Sequence, residues 1–218
     1  MIRLVSDPTE QALARLNRCE AQAREAQEAG RPLTDSVERC YRHVDVKSAI
    51  LRETAEKCAY CESKVTHVYW GDVEHLKPRR RFPEYQFNYN NLTLACAVCN
   101  NKKGDYWLEE APIVDPYVEE PADHLLGLGP LLWHRNGSPT GQRTIDLLDL
   151  NRERLRERRL ECLERLSALV DRYQGEPPGP VKDSIERQLR EEIAATAEFA
   201  LVARWFLRST CGIQLGAV

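Results

Sequence analysis

Cys58-Ala-Tyr-Cys61 and Cys96-Ala-Val-Cys99 are two C-x2-C pairs, and four thiolates at that spacing can close a tetrahedral zinc shell. Such a zinc is structural, because four protein ligands leave no open coordination position. Two other readings stay open at this point: four buried free thiols, and a redox C-x-x-C. The redox reading is weakened by the presence of two pairs with no βαβ pattern around them. Cys19, Cys40, Cys162 and Cys211 stand alone and read as small apolar residues within helices. Thiols stay reduced in a cytosolic chain, so no disulfide is expected. The 34 residues between the two pairs (62–95) exceed the 15–20 of a simple zinc ribbon. Something is built inside that insertion.

The insertion holds Glu74-His75-Leu76-Lys77-Pro78 and Asn91-Leu92-Thr93-Leu94, and Asn100-x2-Lys103 follows the second pair. Hydrolysis of a phosphodiester needs a base for water, a hard cation on the phosphate and leaving oxygen, and a rigid frame for both. His75 can be neutral at pH 7 and is the natural general base. The Asn100 amide oxygen and the Glu74 carboxylate are hard donors that favour Mg²⁺ or Mn²⁺ over softer metals. Adjacent strand residues point to opposite faces, so Glu74 and His75 share a site only if the strand distorts. Otherwise Asp72 is the acidic ligand; Glu74 is the favoured reading. From His75 to Lys103, Lys77, Arg79, Arg80, Arg81, Lys102 and Lys103 face Glu84 alone, a local net of +5 suited to phosphate contacts. Tyr85, Phe87 and Tyr89 alternate in the same stretch. Packing on the zinc fold is their first reading, and stacking on bases the second.

These four elements, in this order, resemble the HNH (ββα-metal) endonuclease family, in the subgroup whose core is held by a four-cysteine zinc. The match covers residues 58–103. The resemblance implies His75 as general base and Asn91 as the middle residue that braces the loop orienting it. It places Asn100 at the third position, where many relatives have His, and implies a strand distorted so that Glu74 ligates the metal. It also implies products with 5′-phosphate and 3′-hydroxyl ends. Beyond the core, Asp115-Pro116, Asp123-His124-Leu125 and Thr144-Ile-Asp-Leu-Leu-Asp-Leu-Asn151, with Leu155 and Arg158, are similar to the PtuB branch, the HNH component of Septu and retron-associated anti-phage systems. That implies a nuclease acting on DNA, or on tRNA as in some retron-linked systems, with an ABC/SMC-like (PtuA-like) ATPase as partner. The charged C-terminal helices are its candidate docking surface. A competing class is a zinc-stapled nucleic-acid-binding or adaptor module without catalysis.

The elements that must position these groups can be read coarsely. Residues 9–29 read as a polar helix stopped by Gly30 and Pro32, and Val46 to Glu56 as a second helix. Lys64 to Glu74 is β-rich through Val65, Thr66, Val68, Tyr69, Trp70 and Val73, with a break at Gly71-Asp72. Leu92–Ala95 reads as a strand and Ala97–Lys103 as a short helix ended by Gly104. Residues 112–144 carry turn signals, and Asn136-Gly137 after Leu131-Leu132-Trp133 predicts a hairpin. From about Thr144 the chain is helical, with Leu160, Leu163, Leu166, Val170 and Tyr173 on one helix. Gly175-Glu-Pro-Pro-Gly-Pro180 is a breaker, and a final helix runs from Ile185 through Leu189, Ile193 and Phe199 to Trp205 and Phe206.

The expected fold is α+β and mostly helical: a zinc-stapled ββα core flanked by N-terminal helices and a C-terminal antiparallel helix pair. The expected divisions are 1–57 (helical), 58–111 (the core), 112–143 (a turn-rich connector) and 144–218 (helical). The 218 residues suffice for a buried core, and 42% hydrophobic with 30% charged residues is an ordinary globular composition. With 31 Lys+Arg against 34 Asp+Glu the net charge is −3, so the remainder outside the +5 stretch carries −8. Bulk coating of nucleic acid is therefore excluded, though a local basic site is not. The longest apolar run, Leu125–Trp133, is too short to span a bilayer, and no apolar signal segment follows Met1. A cytoplasmic location, away from membranes, is the expectation.

Overall fold

The computed structural model describes residues 1–66, 70–209 and 211–213. It is mostly helical with two small antiparallel strand pairs, the class expected from the sequence. The chain divides into two compact units, one made of Leu4–Ala59 with Val65–Glu110, the other of Met1–Arg3, Tyr60–Lys64 and Ala111–Val218.

In the first unit, helix α1 (Glu10–Glu28) opens at Thr9, whose hydroxyl accepts the Ala12 N–H at 3.1 Å. Its sparse apolar positions Ala12, Leu16 and Cys19 form the buried stripe. The chain then doubles back through α2 (Asp35–Glu38) and a 3-10 turn at Cys40–Arg42 into α3 (Val44–Glu53), which packs on α1 through Val46, Ala49 and Ile50. This reversal brings Cys40 beside Cys19, and the two are joined as a disulfide with Cα atoms 6.4 Å apart. The expectation of four reduced single thiols is corrected here. It rested on the compartment, and a 21-residue spacing between two helical segments carries no local signal of pairing. Cys162 is buried in the second unit as expected, and Cys211 packs at the margin of that unit's core.

Strand β1 (Asp72–His75) pairs antiparallel with β2 (Leu92–Ala95), with Asp72 opposite Ala95 and His75 opposite Leu92. β1 is shorter than the β-rich stretch expected; Val68 and Tyr69 of that stretch lie outside the described residues. Helix α4 (Ala97–Lys103) follows β2 directly and stops at Gly104, whose φ of 50° suits glycine.

In the second unit, α5 (Pro121–His124) leads into a hairpin of β3 (Leu125–Leu128) and β4 (Leu131–His134). The reversal falls at Gly129-Pro130, and Gly129 has φ 55°. The expected Asn136-Gly137 turn instead forms a 3-10 turn after β4, leading to Ser138, the N-cap of α6 (Pro139–Leu147). Helix α7 (Glu153–Gly175) and α8 (Pro180–Glu192) flank the expected breaker. The expected final helix breaks into α8, which ends at Glu192, and α9 (Ala200–Ser209); the chain turns between them, and Phe199 before α9 adopts φ 54°. Three helices rather than a pair therefore build this core, through Leu166, Val170, Leu189, Ile193, Ala203 and Leu207. No helix among the described residues is long and apolar enough to cross a membrane.

Candidate active site and metal centre

The sulfurs of Cys58, Cys61, Cys96 and Cys99 all lie within 4.8 Å of one another, and none is in a disulfide. A tetrahedral zinc with Zn–S near 2.3 Å spaces its sulfurs by about 3.8 Å, so the donor set and its spacing fit zinc. Local structure makes the cluster. The Ala59 N–H donates to the Leu94 carbonyl at 2.8 Å and hangs the first knuckle on β2. The second knuckle is the opening turn of α4, where the Cys96 sulfur caps the helix by accepting the Cys99 N–H at 3.4 Å.

Regular pairing through His75 sets the side chains of β1 alternately. Asp72 and Glu74 both meet α4: the Asn100 amide donates to Asp72 Oδ2 at 3.1 Å, and Lys103 Nζ donates to Glu74 Oε1 at 2.7 Å and to the His75 carbonyl at 2.9 Å. Asn100 thus hydrogen-bonds Asp72, while Glu74 is held by Lys103. Glu74 and Lys103 are both buried and neutralise each other. Burial raises the Glu74 pKa, and the Lys103 ammonium opposes the rise.

His75 has a different set of neighbours. It is 6% exposed, and its ring meets the Tyr41 ring edge-on at 4.6 Å. Its Nε2 lies 3.1 Å from the Gln86 carbonyl, which can only accept, so Nε2 carries the proton and Nδ1 keeps its lone pair. Burial pushes the imidazole pKa down to about 4, beyond the support of the Gln86 carbonyl, and Arg79, Lys103 and Arg42 push the same way. The ring is neutral at pH 7, as a general base must be. Asn91 ties down the connection from β1: its Oδ1 accepts the Lys77 N–H at 2.7 Å, and its Nδ2 donates to the Lys77 and Tyr85 carbonyls at 3.1 and 3.2 Å.

The six basic residues are used unequally. Lys103 is buried against Glu74, so it faces no solvent. Lys77 sits among the rings of Tyr85, Trp107 and Phe82, at 4.3, 5.2 and 5.8 Å. Arg79 pairs with Glu38 at 3.0 Å, and Arg81 donates to the Asp105 and Trp107 carbonyls at 3.3 and 2.9 Å. Arg80, Arg81 and Lys102 are exposed. The aromatic trio is internal: Phe87 packs beside Cys19, Val37 and Cys40, Tyr89 is buried with its hydroxyl on Glu53 at 2.9 Å, and Tyr85 faces Lys77. Tyr41, Gln86 and the structural use of Lys103 carry no signal in the sequence. Tyr41 lies 34 residues from His75, and only the folded chain brings the two together.

Residues 58–106 match the HNH endonuclease family. The Septu protein PtuB of Bacillus thuringiensis is 33% identical over 107 residues, covering 49% of this chain and 41% of that protein. The Septu protein PtuB of Bacillus mycoides (strain KBAB4) is 26% identical over 151 residues, covering 55% and 51%. The chain thus spans about half the length of the curated relatives it matches. The matched segment opens with the first cysteine knuckle and contains β1, β2 and α4 with their histidine and two asparagines; these residues form an HNH endonuclease domain, in a chain similar to the PtuB proteins of Septu.

Proposed function

We propose that this chain is a metal-dependent endonuclease that cuts DNA phosphodiesters, the nuclease component of an anti-phage system working with an ABC/SMC-like ATPase. The observation that carries the reading is His75: a buried, neutral imidazole whose Nε2–H is anchored on a backbone carbonyl, leaving Nδ1 to take a proton from water. The Gln86 carbonyl then stabilises the imidazolium that forms. The Asn91 hydrogen bonds keep the loop carrying that carbonyl from drifting. Arg80, Arg81 and Lys102 are the basic side chains exposed for phosphate contacts, with the less exposed Lys77 and Arg79 supplying background field.

Zinc would be held by Cys58, Cys61, Cys96 and Cys99 and would supply the frame. Mg²⁺ or Mn²⁺ would be held by Asn100 with Asp72 or Glu74, and when bound supplies charge stabilisation on the phosphate and leaving oxygen. The Asn100–Asp72 contact supports Asp72 as the carboxylate, because Glu74 is already engaged by Lys103. On that basis Asp72→Asn abolishes metal-dependent cutting, and Glu74→Gln acts mainly through stability. The reverse pattern would return the role to Glu74.

The defining experiment is Mg²⁺-dependent nicking of supercoiled plasmid by the zinc-loaded chain with its partner ATPase. His75→Ala should lower the rate by about 10²–10⁴-fold. A wild type that cuts neither plasmid nor tRNA under any divalent metal, while folded and zinc-loaded, would mean a binding or adaptor module instead. Co-purification with the ATPase tests the defence role separately from the chemistry.

A further inference from the structure

We propose that the Cys19–Cys40 disulfide is a redox-sensitive brace for His75, holding the segment 38–42 that positions the imidazole. The inference rests on the reading of His75 as general base. Three sets of contacts run from the segment to the ring. Tyr41, next to Cys40 in the chain, is buried and meets the imidazole at 4.6 Å with the rings at 75°. The Glu38 carbonyl accepts the Gln86 side-chain N–H at 2.9 Å, and the Gln86 carbonyl is the acceptor for His75 Nε2 at 3.1 Å. Arg79 pairs with Glu38 and lies 5.6 Å from the Tyr41 ring centre, while Arg42 lies 5.5 Å from it.

The segment is held only weakly by local backbone hydrogen bonding. It consists of the end of a four-residue helix and a three-residue 3-10 turn, both too short to be stable by backbone hydrogen bonding. The apolar cluster beneath it is small: Cys19, Val37 and Cys40, with Ala23 and Phe87 at its margin. The turn packs on α1 and α3, and the covalent link to the 19-residue α1 fastens that packing in place. Tyr41 and Gln86 are positioning residues in this scheme, since they act through His75.

Reduction requires a dithiol of the thioredoxin or dithiothreitol class. Its thiolate attacks one sulfur, forms a mixed disulfide and expels the other cysteine as a thiolate. Its second thiol then closes the reductant's own disulfide and releases the remaining cysteine. Two electrons pass to the protein, and each cysteine takes up one proton. Both sulfurs belong to buried residues, so the exchange is slower than at an exposed disulfide.

The test uses the full-length, zinc-loaded chain. Alkylation in denaturant without reductant should leave Cys19 and Cys40 unmodified by mass spectrometry; two alkylated residues would overturn the proposal. Imidazole ¹⁵N–¹H spectra should show His75 as a single Nε2–H tautomer in the oxidised protein. Dithiothreitol treatment, Cys19→Ser and Tyr41→Leu should each give exchange between tautomers, while Tyr41→Phe restores the oxidised pattern. A His75 spectrum unchanged by reduction would overturn the brace. So would global unfolding with zinc loss on reduction, which would make the bond a staple of the whole unit. In plasmid nicking, reduction should lower kcat about tenfold with KM unchanged, and Cys19→Ser should be low at the outset and unresponsive to dithiothreitol. If the wild type cuts nothing, the nuclease reading fails while the imidazole spectra still decide the brace.

Discussion

His75 and Lys103 show how much a buried titratable side chain depends on its neighbours. Burial holds the His75 pKa at about 4, against 6.5 in the unfolded chain. Between those values the unfolded chain binds a proton that the fold does not, so stability falls as pH drops from about 6.5 towards 4 and is level above. Without added divalent metal, urea unfolding of the zinc-loaded protein should therefore lose about 2 kcal/mol between pH 7 and pH 5. His75→Asn should remove that increment; equal losses in the two proteins would contradict the assignment. Lys103→Met leaves the Glu74 carboxylate buried without its cation, and should cost about 3 kcal/mol. Adding Glu74→Gln should recover most of that loss, because the unpaired charge is gone. Strictly additive losses in the double variant would show that the pair is not coupled. The residues with chemistry were legible in sequence because their types are restrictive: thiolates in pairs, an imidazole, two amides. Lysine is not restrictive: by type Lys103 is a surface cation, and only its neighbours in the fold make it an internal counter-ion.

At the scale of elements, the two knuckles carry β2 and α4 between them, so losing one thiolate should undo more than a ligand. Cys58→Ser should lower zinc from about one per chain to near zero and abolish the cooperative unfolding transition. A folded, zinc-free variant would refute a structural zinc. In the other unit, α6 starts hard against α5: a Cβ at Gly141 would run into the His124 carbonyl oxygen, and His124 Nδ1 is 2.8 Å from the N-cap hydroxyl of Ser138. Gly141→Ala must separate two backbones and should cost about 2 kcal/mol or more, read as a lower Tm. Gly175→Ala, with open space around the added methyl, serves as the neutral comparison. Elements with local punctuation were legible: α1 ends before Gly30, and α4 ends at Gly104. Asn136-Gly137 is the stronger turn signal in the sequence, yet the strand pairing leaves it outside the reversal and uses Gly129-Pro130. The break before α9 was illegible, since Phe199 takes a left-handed conformation that no local rule assigns to phenylalanine.

Over the whole molecule, a net charge of −3 encloses a stretch of +5, and three of that stretch's six cations are exposed. The acidity elsewhere limits indiscriminate binding. The isolated chain should hold nonspecific duplex DNA no tighter than about 1 µM at physiological salt, weakening as salt rises. Arg80→Glu with Lys102→Glu should weaken it further and flatten the salt dependence by about two phosphate contacts. Tight, salt-resistant binding would refute a nuclease kept in check by its own charge. The division of the chain also dictates an order of manufacture. Translation delivers residues 4–110 before the other unit possesses more than Met1–Arg3 and Tyr60–Lys64, and that unit cannot close until α9 has been made. The histidine-bearing unit is therefore the firstborn, free to fold while Ala111–Val218 is still being synthesised. Nascent chains arrested with α7 not yet released should already protect β1 and β2 from protease, while β3 and β4, still without α9, stay cleavable.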